Sequence, residues 1–145
     1  MNSDLARLQP YPFEKLAKIK LGMTPPATLQ HIALSVGEPK HPTPQIISEA
    51  LLEHLHGLGQ YPTTRGILAL SESIAQWLSK RFTIASDDID PLTNILPVSG
   101  TREALFSFAQ CIFDRSKGGI IAMPNPFYQI YEGAALLAGA TPIFY

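Results

Sequence analysis

A single cysteine, Cys111, stands among the 145 residues, so no disulfide can close within the chain, and no Cys/His cluster with ligand spacing accompanies it. It reads as a small packed side chain on a helix, neither a nucleophile nor a metal ligand. Histidine is nearly as scarce. His31 and His41 have no partner nearby, and His54 and His56 stand two apart on an expected helix, pointing in different directions, so no metal site is expected. An excess of either charge is also missing: eleven Lys and Arg against twelve Asp and Glu, without runs, leave no footprint for nucleic acid or an anionic membrane surface. Long hydrophobic runs are absent too. The stretch "GAALLAGA" falls well short of the roughly 18 to 20 residues a membrane span needs. "MNSDLARLQP" lacks the apolar core of a signal peptide, so a cytoplasmic protein without nucleic-acid or membrane partners is expected.

What is present is an ordinary globular mixture, 46% hydrophobic and 16% charged. Residues 1 to about 30 carry Pro10, Pro12, Pro25 and Pro26 around one amphipathic piece, "FEKLAKIKLG", and read as an arm with one helix rather than a core layer. After "HIALSVGEPKHPTP", Thr43 as N-cap and Pro44 at the first helical position open a helix with Ile47, Leu51, Leu55 and Leu58 on one face, ended by Gly57 and Gly59. A second amphipathic helix follows Gly66, with Ile67, Leu70, Ile74, Trp77 and Leu78 at helical spacing. From Asn94 the pattern becomes strand "NILPV", helix from Thr101 to about Asp114, strand "GIIAM", helix from about Tyr128 to Ala138, strand "TPIFY". That βαβαβ order predicts an α/β fold with a parallel sheet covered by helices. The division expected is 1–40 for the arm and part of a small domain, and 41–145 for the first part of a larger one. Because such sheets normally continue, and Tyr145 lies inside a β-prone run, the sequence is expected to be truncated.

The most informative local feature is "LPVSGTREAL". An apolar strand runs into Ser99, Gly100 and Thr101, which open a helix carrying Ala104, Leu105, Phe108, Cys111 and Ile112 on its inward face. The first N–H groups of a helix have no internal acceptor, its dipole favours negative charge there, glycine permits close approach, and hydroxyls add donors. A phosphate monoester would fit. Equally, Ser99 or Thr101 could simply cap the helix. Arg102 stands in the first turn and could reach a phosphate or carboxylate, or point to solvent.

Several segments in the same order raise a specific resemblance. Ser99-Gly100-Thr101 resembles the cofactor-phosphate loop of the fold-type I aminotransferases of class I and II. "LSVGEPKHPTPQIISEAL" is similar to that family's early "GEP…PTP" stretch, which implies that the Gly37 backbone lies against the substrate's carboxylate, with Glu38, Pro39 and Pro42 as supports. "GLGQYPTTRG" resembles the stretch whose tyrosine, here Tyr61, reaches across a dimer to the cofactor phosphate of the other subunit. "MPNPFYQIYEGAALLAGATPIFY" resembles the segment whose aromatic ring stacks on the cofactor's pyridine ring, a role carried to Tyr128 with Phe127 second. Within the family, "LQPYPFEKLAKI", "LSVGEPKHPTP" and "NPFYQIYEGAALLAGA" resemble the N-succinyldiaminopimelate aminotransferases, over nearly all of the chain.

The resemblance implies pyridoxal 5'-phosphate as cofactor, amino-acid and oxo-acid substrates, a homodimer, and ping-pong kinetics. It makes Ser99, Gly100, Thr101, Arg102, Tyr128 and Tyr61 cofactor-binding candidates and Gly37 a substrate-binding one. The family's chemistry also needs a lysine that holds the cofactor, an aspartate on its ring nitrogen and an arginine for the substrate carboxylate. None of Lys15, Lys18, Lys20, Lys40, Lys80 and Lys117 fits the first role, so no catalytic residue is named and the chain alone is expected to be inactive. Competing expectations are another fold-type I aminotransferase or carbon–sulfur lyase, a non-catalytic binding or dimerisation module, and an unrelated phosphate-binding α/β domain.

Overall fold

A computed structural model describes all residues from Met1 to Tyr145. Its helices are α1 (Pro12–Lys20), α2 (Gln45–Glu53), α3 (Leu68–Phe82), α4 (Thr101–Ile112) and α5 (Gln129–Ala138), and its strands are β1 (Ile120–Met123) and β2 (Thr141–Phe144). The chain falls into two compact units, Met1–Met23 with Val98–Tyr145, and Thr24–Pro97. The division expected at residue 40, into an arm with part of a small domain and the incomplete first part of a larger one, stands as a proposal beside these units.

In the first unit, β1 and β2 pair in parallel with Ile120 opposite Thr141 and Met123 opposite Phe144, joined by α5 as the crossover. The pairing is prolonged at both ends, where Thr141 N donates to Gly119 O at 3.0 Å and Asn125 N to Tyr145 O at 3.0 Å. Alanine decides how closely α5 sits. Ala134, Ala135 and Ala138 are all buried, and Met123, Ala135 and Ala140 form the centre against which Phe113, Ile121, Phe127 and Tyr131 pack. Gly139 ends α5 at φ +89°, with Gly139 N bonded to Leu136 O and Ala140 N to Ala135 O, the left-handed stop that lets the chain turn at once into β2.

The expected strand "NILPV" is not formed. Asn94 is spent on a turn, its N donating to Asp90 O at 2.9 Å and its Oδ1 accepting from Asp90 N at 2.8 Å; Pro97 has no N–H for a ladder, and the sheet holds only β1 and β2. The inward face expected of α4 is also corrected. Ala109 is buried and Ala104, Leu105 and Phe106 are half-buried, whereas Phe108, Cys111 and Ile112 are exposed, Phe108 and Ile112 lining an open cavity with Ile121, Ala122 and Met123 of β1.

The arm is more than one helix. Ser3–Arg7 forms a 3-10 turn capped by Asn2, whose Oδ1 accepts from Asp4 N at 3.0 Å, and this turn packs on α5. Asp4 pairs with Arg115 at 2.8 Å and Arg7 at 3.3 Å, and Arg115 also donates to Leu137 O at 3.0 Å, so the first residues are tied to the end of α5.

In the second unit, α2 starts one residue later than expected. Pro44 rather than Thr43 is the N-cap, its carbonyl accepting from Ile47 N, and no side chain caps the helix. The helix also stops early, at Glu53, and continues as a 3-10 turn over Leu55–Gly59. That change of pitch brings the His54 and His56 rings side by side at 6.0 Å rather than apart, each Nδ1 on a backbone carbonyl. The loop before α3 is held by Thr63 Oγ1 donating to Gly66 O at 2.7 Å and by Arg65 donating to Leu92 O at 3.1 Å. No helix is long and apolar enough to cross a membrane.

Candidate functional site

The start of α4 is where local structure and chemistry converge. Gly100 is extended, with ψ 148°, and is the N-cap; no side chain caps the helix, so neither Ser99 nor Thr101 performs the ordinary capping role. The first bond from helix to loop is Ala104 N to Gly100 O at 3.1 Å, which leaves the N–H groups of Thr101, Arg102 and Glu103 without a helical acceptor. A Cβ built on Gly100 would meet nothing within 4 Å, so the space in front of these donors is open. Three N–H groups, two free hydroxyls and the positive end of a twelve-residue helix form a set that accepts an anion.

Beside it stands Tyr128, the residue that caps α5. Arg102 Nε donates to its hydroxyl at 2.7 Å, and the guanidinium carbon lies 5.6 Å from its ring centre. The Tyr128 hydroxyl, and after it that of Tyr11, hold the Arg102 pKa above its ordinary value. Tyr131 meets the Tyr128 ring edge-on at 5.7 Å. The neighbouring Phe127 has a different fate: it packs against Phe144 at 4.8 Å and is committed to the core, while Tyr128 keeps 40% of its surface exposed. Tyr128, Arg102 and Tyr11 share a cavity of about 240 Å³ whose wall contains no lysine.

Of the residues singled out in the sequence, Ser99, Gly100, Thr101, Arg102 and Tyr128 therefore belong to one unit, with Arg102 and Tyr128 in direct contact. Arg102 is exposed, and its Nε is engaged by the Tyr128 phenol. Gly37 and Tyr61 belong to the other unit. A Cβ on Gly37 would meet nothing within 4 Å, and Tyr61 is 97% exposed. Tyr11 escapes a reading of the sequence, where a tyrosine between two prolines carries no signal for a partner far along the chain. Lys117 pairs with Asp114 at 3.5 Å, and no three metal-ligating side chains gather anywhere in the chain.

Known proteins resemble this chain over most of its length. Residues 30–145 match the family described as aminotransferase class I and II. Similar curated relatives include LL-diaminopimelate aminotransferases of Moorella thermoacetica, 29% identical over 97% of this chain and 35% of the relative, and of Dehalococcoides mccartyi, 31% identical over 97% and 35%. Among solved structures, an aminotransferase of Neisseria meningitidis superposes with a TM-score of 0.87 at 44% identity, covering 99% of this chain and 36% of that one. Aminotransferase AspB of Helicobacter pylori gives 0.79 at 35% identity, over 94% and 35%. The chain thus spans about a third of the length of the relatives it matches. On the family match over most of its residues and on the shared α/β fold, the chain belongs to the class I and II, fold-type I aminotransferases, whose members use pyridoxal 5'-phosphate.

Proposed function

We propose that this chain supplies the cofactor-phosphate cradle and the ring-stacking face of an aminotransferase that exchanges an amino group between glutamate and N-succinyl-2-amino-6-oxopimelate, giving N-succinyl-LL-2,6-diaminopimelate and 2-oxoglutarate. The observation that carries this reading is the uncapped start of α4 after Gly100, set beside an exposed aromatic ring. The donor set fits a phosphate monoester: backbone N–H groups at Thr101 and Arg102, the hydroxyls of Ser99 and Thr101, and no Cβ at Gly100 to keep the ligand away. When bound, pyridoxal 5'-phosphate withdraws electrons from the bond to the substrate's Cα. The residues of this chain bind and orient. The α4 cradle anchors the phosphate end, the Tyr128 ring covers one face of the flat pyridine at little entropic cost, and the Gly37 backbone receives the substrate's carboxylate.

Tyr61, almost wholly exposed, is assigned to the phosphate of a partner subunit, so the working protein is a homodimer in the cytoplasm. The lysine, aspartate and arginine of the reaction are not among these residues, and the chain alone is without transaminase activity. Residues 1–40 are assigned to the arm and part of the small domain, and 41–145 to the first part of the cofactor-binding domain. A second reading, unacylated LL-diaminopimelate as the amino donor, draws on the names of the curated relatives.

The test uses the protein as its gene encodes it, given either glutamate with N-succinyl-2-amino-6-oxopimelate, with 2-oxoglutarate measured, or LL-diaminopimelate with 2-oxoglutarate, with glutamate measured. Turnover of the acylated substrate and none of LL-diaminopimelate supports the first reading, and the reverse result supports the second. Turnover of neither, with activity on other amino acids, overturns both. Ser99→Ala with Thr101→Ala weakens cofactor binding, each lost hydrogen bond counting for about fivefold.

A further inference from the structure

The strongest unexplained contact in the first unit is that between Arg102 and Tyr128. A guanidinium in the first turn of a helix that receives an anion would ordinarily be assigned to the anion itself. Here it is turned to the side. Its Nε donates to the Tyr128 hydroxyl at 2.7 Å, and its Cζ lies 5.6 Å from the centre of the same ring.

Three further observations show what this contact does. Tyr128 sits at the N-cap of α5, where its backbone is fixed by Tyr131 N donating to its carbonyl at 2.9 Å, so only the side-chain torsions are free to move the ring. Tyr131 packs against the ring in a T-shaped pair at 5.7 Å and an interplanar angle of 84°. Tyr11, just before α1, lines the same cavity of about 240 Å³ as Arg102 and Tyr128 and raises the Arg102 pKa together with Tyr128, so the arm stands beside the guanidinium. An exposed tyrosine without such contacts would sample several rotamers, and holding one of them removes an entropy that a stacking ligand otherwise has to overcome.

We infer that Arg102 is a positioning residue: through its side chain it locks the Tyr128 ring in the orientation that receives a flat cofactor, with Tyr11 of the arm as backing, and it offers the phosphate only its backbone N–H. This rests on the reading that pyridoxal 5'-phosphate is the ligand of this site. It joins the arm, the phosphate loop and the stacking ring into one device, so that loss of the arm contact loosens the ring.

The test measures pyridoxal 5'-phosphate binding to the protein as its gene encodes it, by titration and by the circular dichroism induced in the cofactor's visible band. The variants are Arg102→Met, Arg102→Lys, Tyr128→Phe and the double variant Arg102→Met with Tyr128→Phe. Tyr128→Phe removes one exposed oxygen and keeps the ring, so it does not threaten folding. Arg102→Met and Tyr128→Phe are each expected to weaken binding about tenfold and to reduce the induced dichroism, with the double variant no worse than the weaker single. Arg102→Lys, which keeps a charged donor, recovers part of the signal. A cofactor-independent readout is the Arg102 Nε–H resonance in NMR, which shifts on Tyr128→Phe.

Additive effects, or an Arg102→Met variant that loses competition by inorganic phosphate while Tyr128→Phe keeps it, would place the guanidinium on the phosphate and overturn the positioning role. An unshifted Nε–H resonance overturns it as well. A wild-type protein that takes up no cofactor overturns the functional reading and this role with it. One that takes up cofactor with additive variants overturns this role alone.

Discussion

The two compact units of the chain solve the same problem unequally. In Met1–Met23 with Val98–Tyr145, α5 closes on the end of β1: Met123 keeps only 2% of its surface and Ala134, Ala135 and Ala138 are buried, although Ile120, Ile143 and Phe144 on the outer side of the strands stay exposed. In Thr24–Pro97, α2 shows an equally clear amphipathic pattern, yet Ile47, Leu51 and Leu58 remain exposed. An apolar stripe is a demand for a partner surface, and periodicity states the demand without supplying the surface. The difference teaches that helical pattern and burial are separate facts: α5 has strands to sit on, and α2 has only the turn that follows it.

The largest effect that would sharpen this contrast is expected from truncating one apolar side chain in each unit. Met123→Ala empties a fully enclosed position and should cost about 2–5 kcal/mol, whereas Leu51→Ala on exposed α2 should stay within ~0.5 kcal/mol. Urea unfolding checks both, with amide resonances of α5 reporting one unit and the fluorescence of the single tryptophan, Trp77 on α3, reporting the other. Equal losses would break the comparison.

A smaller effect is expected from glycine. Gly139 holds φ +89°, and a Cβ there would stand 2.7 Å from Arg115 Nε, so Gly139→Ala should destabilise the first unit by about 1–2 kcal/mol as the left-handed stop strains and the arginine moves aside. Gly37→Ala, with open space around it, should leave stability unchanged, and thermal unfolding separates the two.

The smallest effect concerns pH, with one carboxylate in each unit. Hydrogen bonds from the Ser116 hydroxyl and amide hold the Asp114 carboxyl below the ordinary aspartate value, and those from the Leu92 amide and the Thr93 hydroxyl do the same for Asp90. A depressed pKa in the fold favours the folded turn above the unfolded value, near pH 4, and that contribution fades as pH falls through the lower, folded value. Both groups are exposed, so the change is local. The amide resonances of Ser116 and Leu92 should titrate with midpoints below pH 4, and a midpoint at or above it would remove the turns from the account.

Much of the fold is legible in the residues themselves. The apolar spacing of α3, the small-residue run of α5, and the apolar stretches that form β1 and β2 all point to the observed elements to within a residue or two, because each is a local pattern answered by a nearby partner. The loop Ser99-Gly100-Thr101 is legible as a helix start able to accept an anion, though residue types alone do not choose between anion and cap; the absence of any side-chain cap is a fact of the fold. "NILPV" misleads, since a strand exists only with a neighbour to pair with, and Asn94 has a nearer set of partners in its turn with Asp90. Cys111 misleads because the inward face of a helix is defined by what lies under it.

The sequence by itself determined where most helices and strands begin and end, the chemistry collected around Gly100, and membership of the family, since these depend on residue types at short spacing. Only the tertiary structure decided that Arg102 turns to Tyr128, that Tyr11 and Asp4 fasten the arm to the same unit, and which apolar faces are covered. Those contacts join residues distant along the chain, and their partners are chosen by packing in space, which no local pattern encodes.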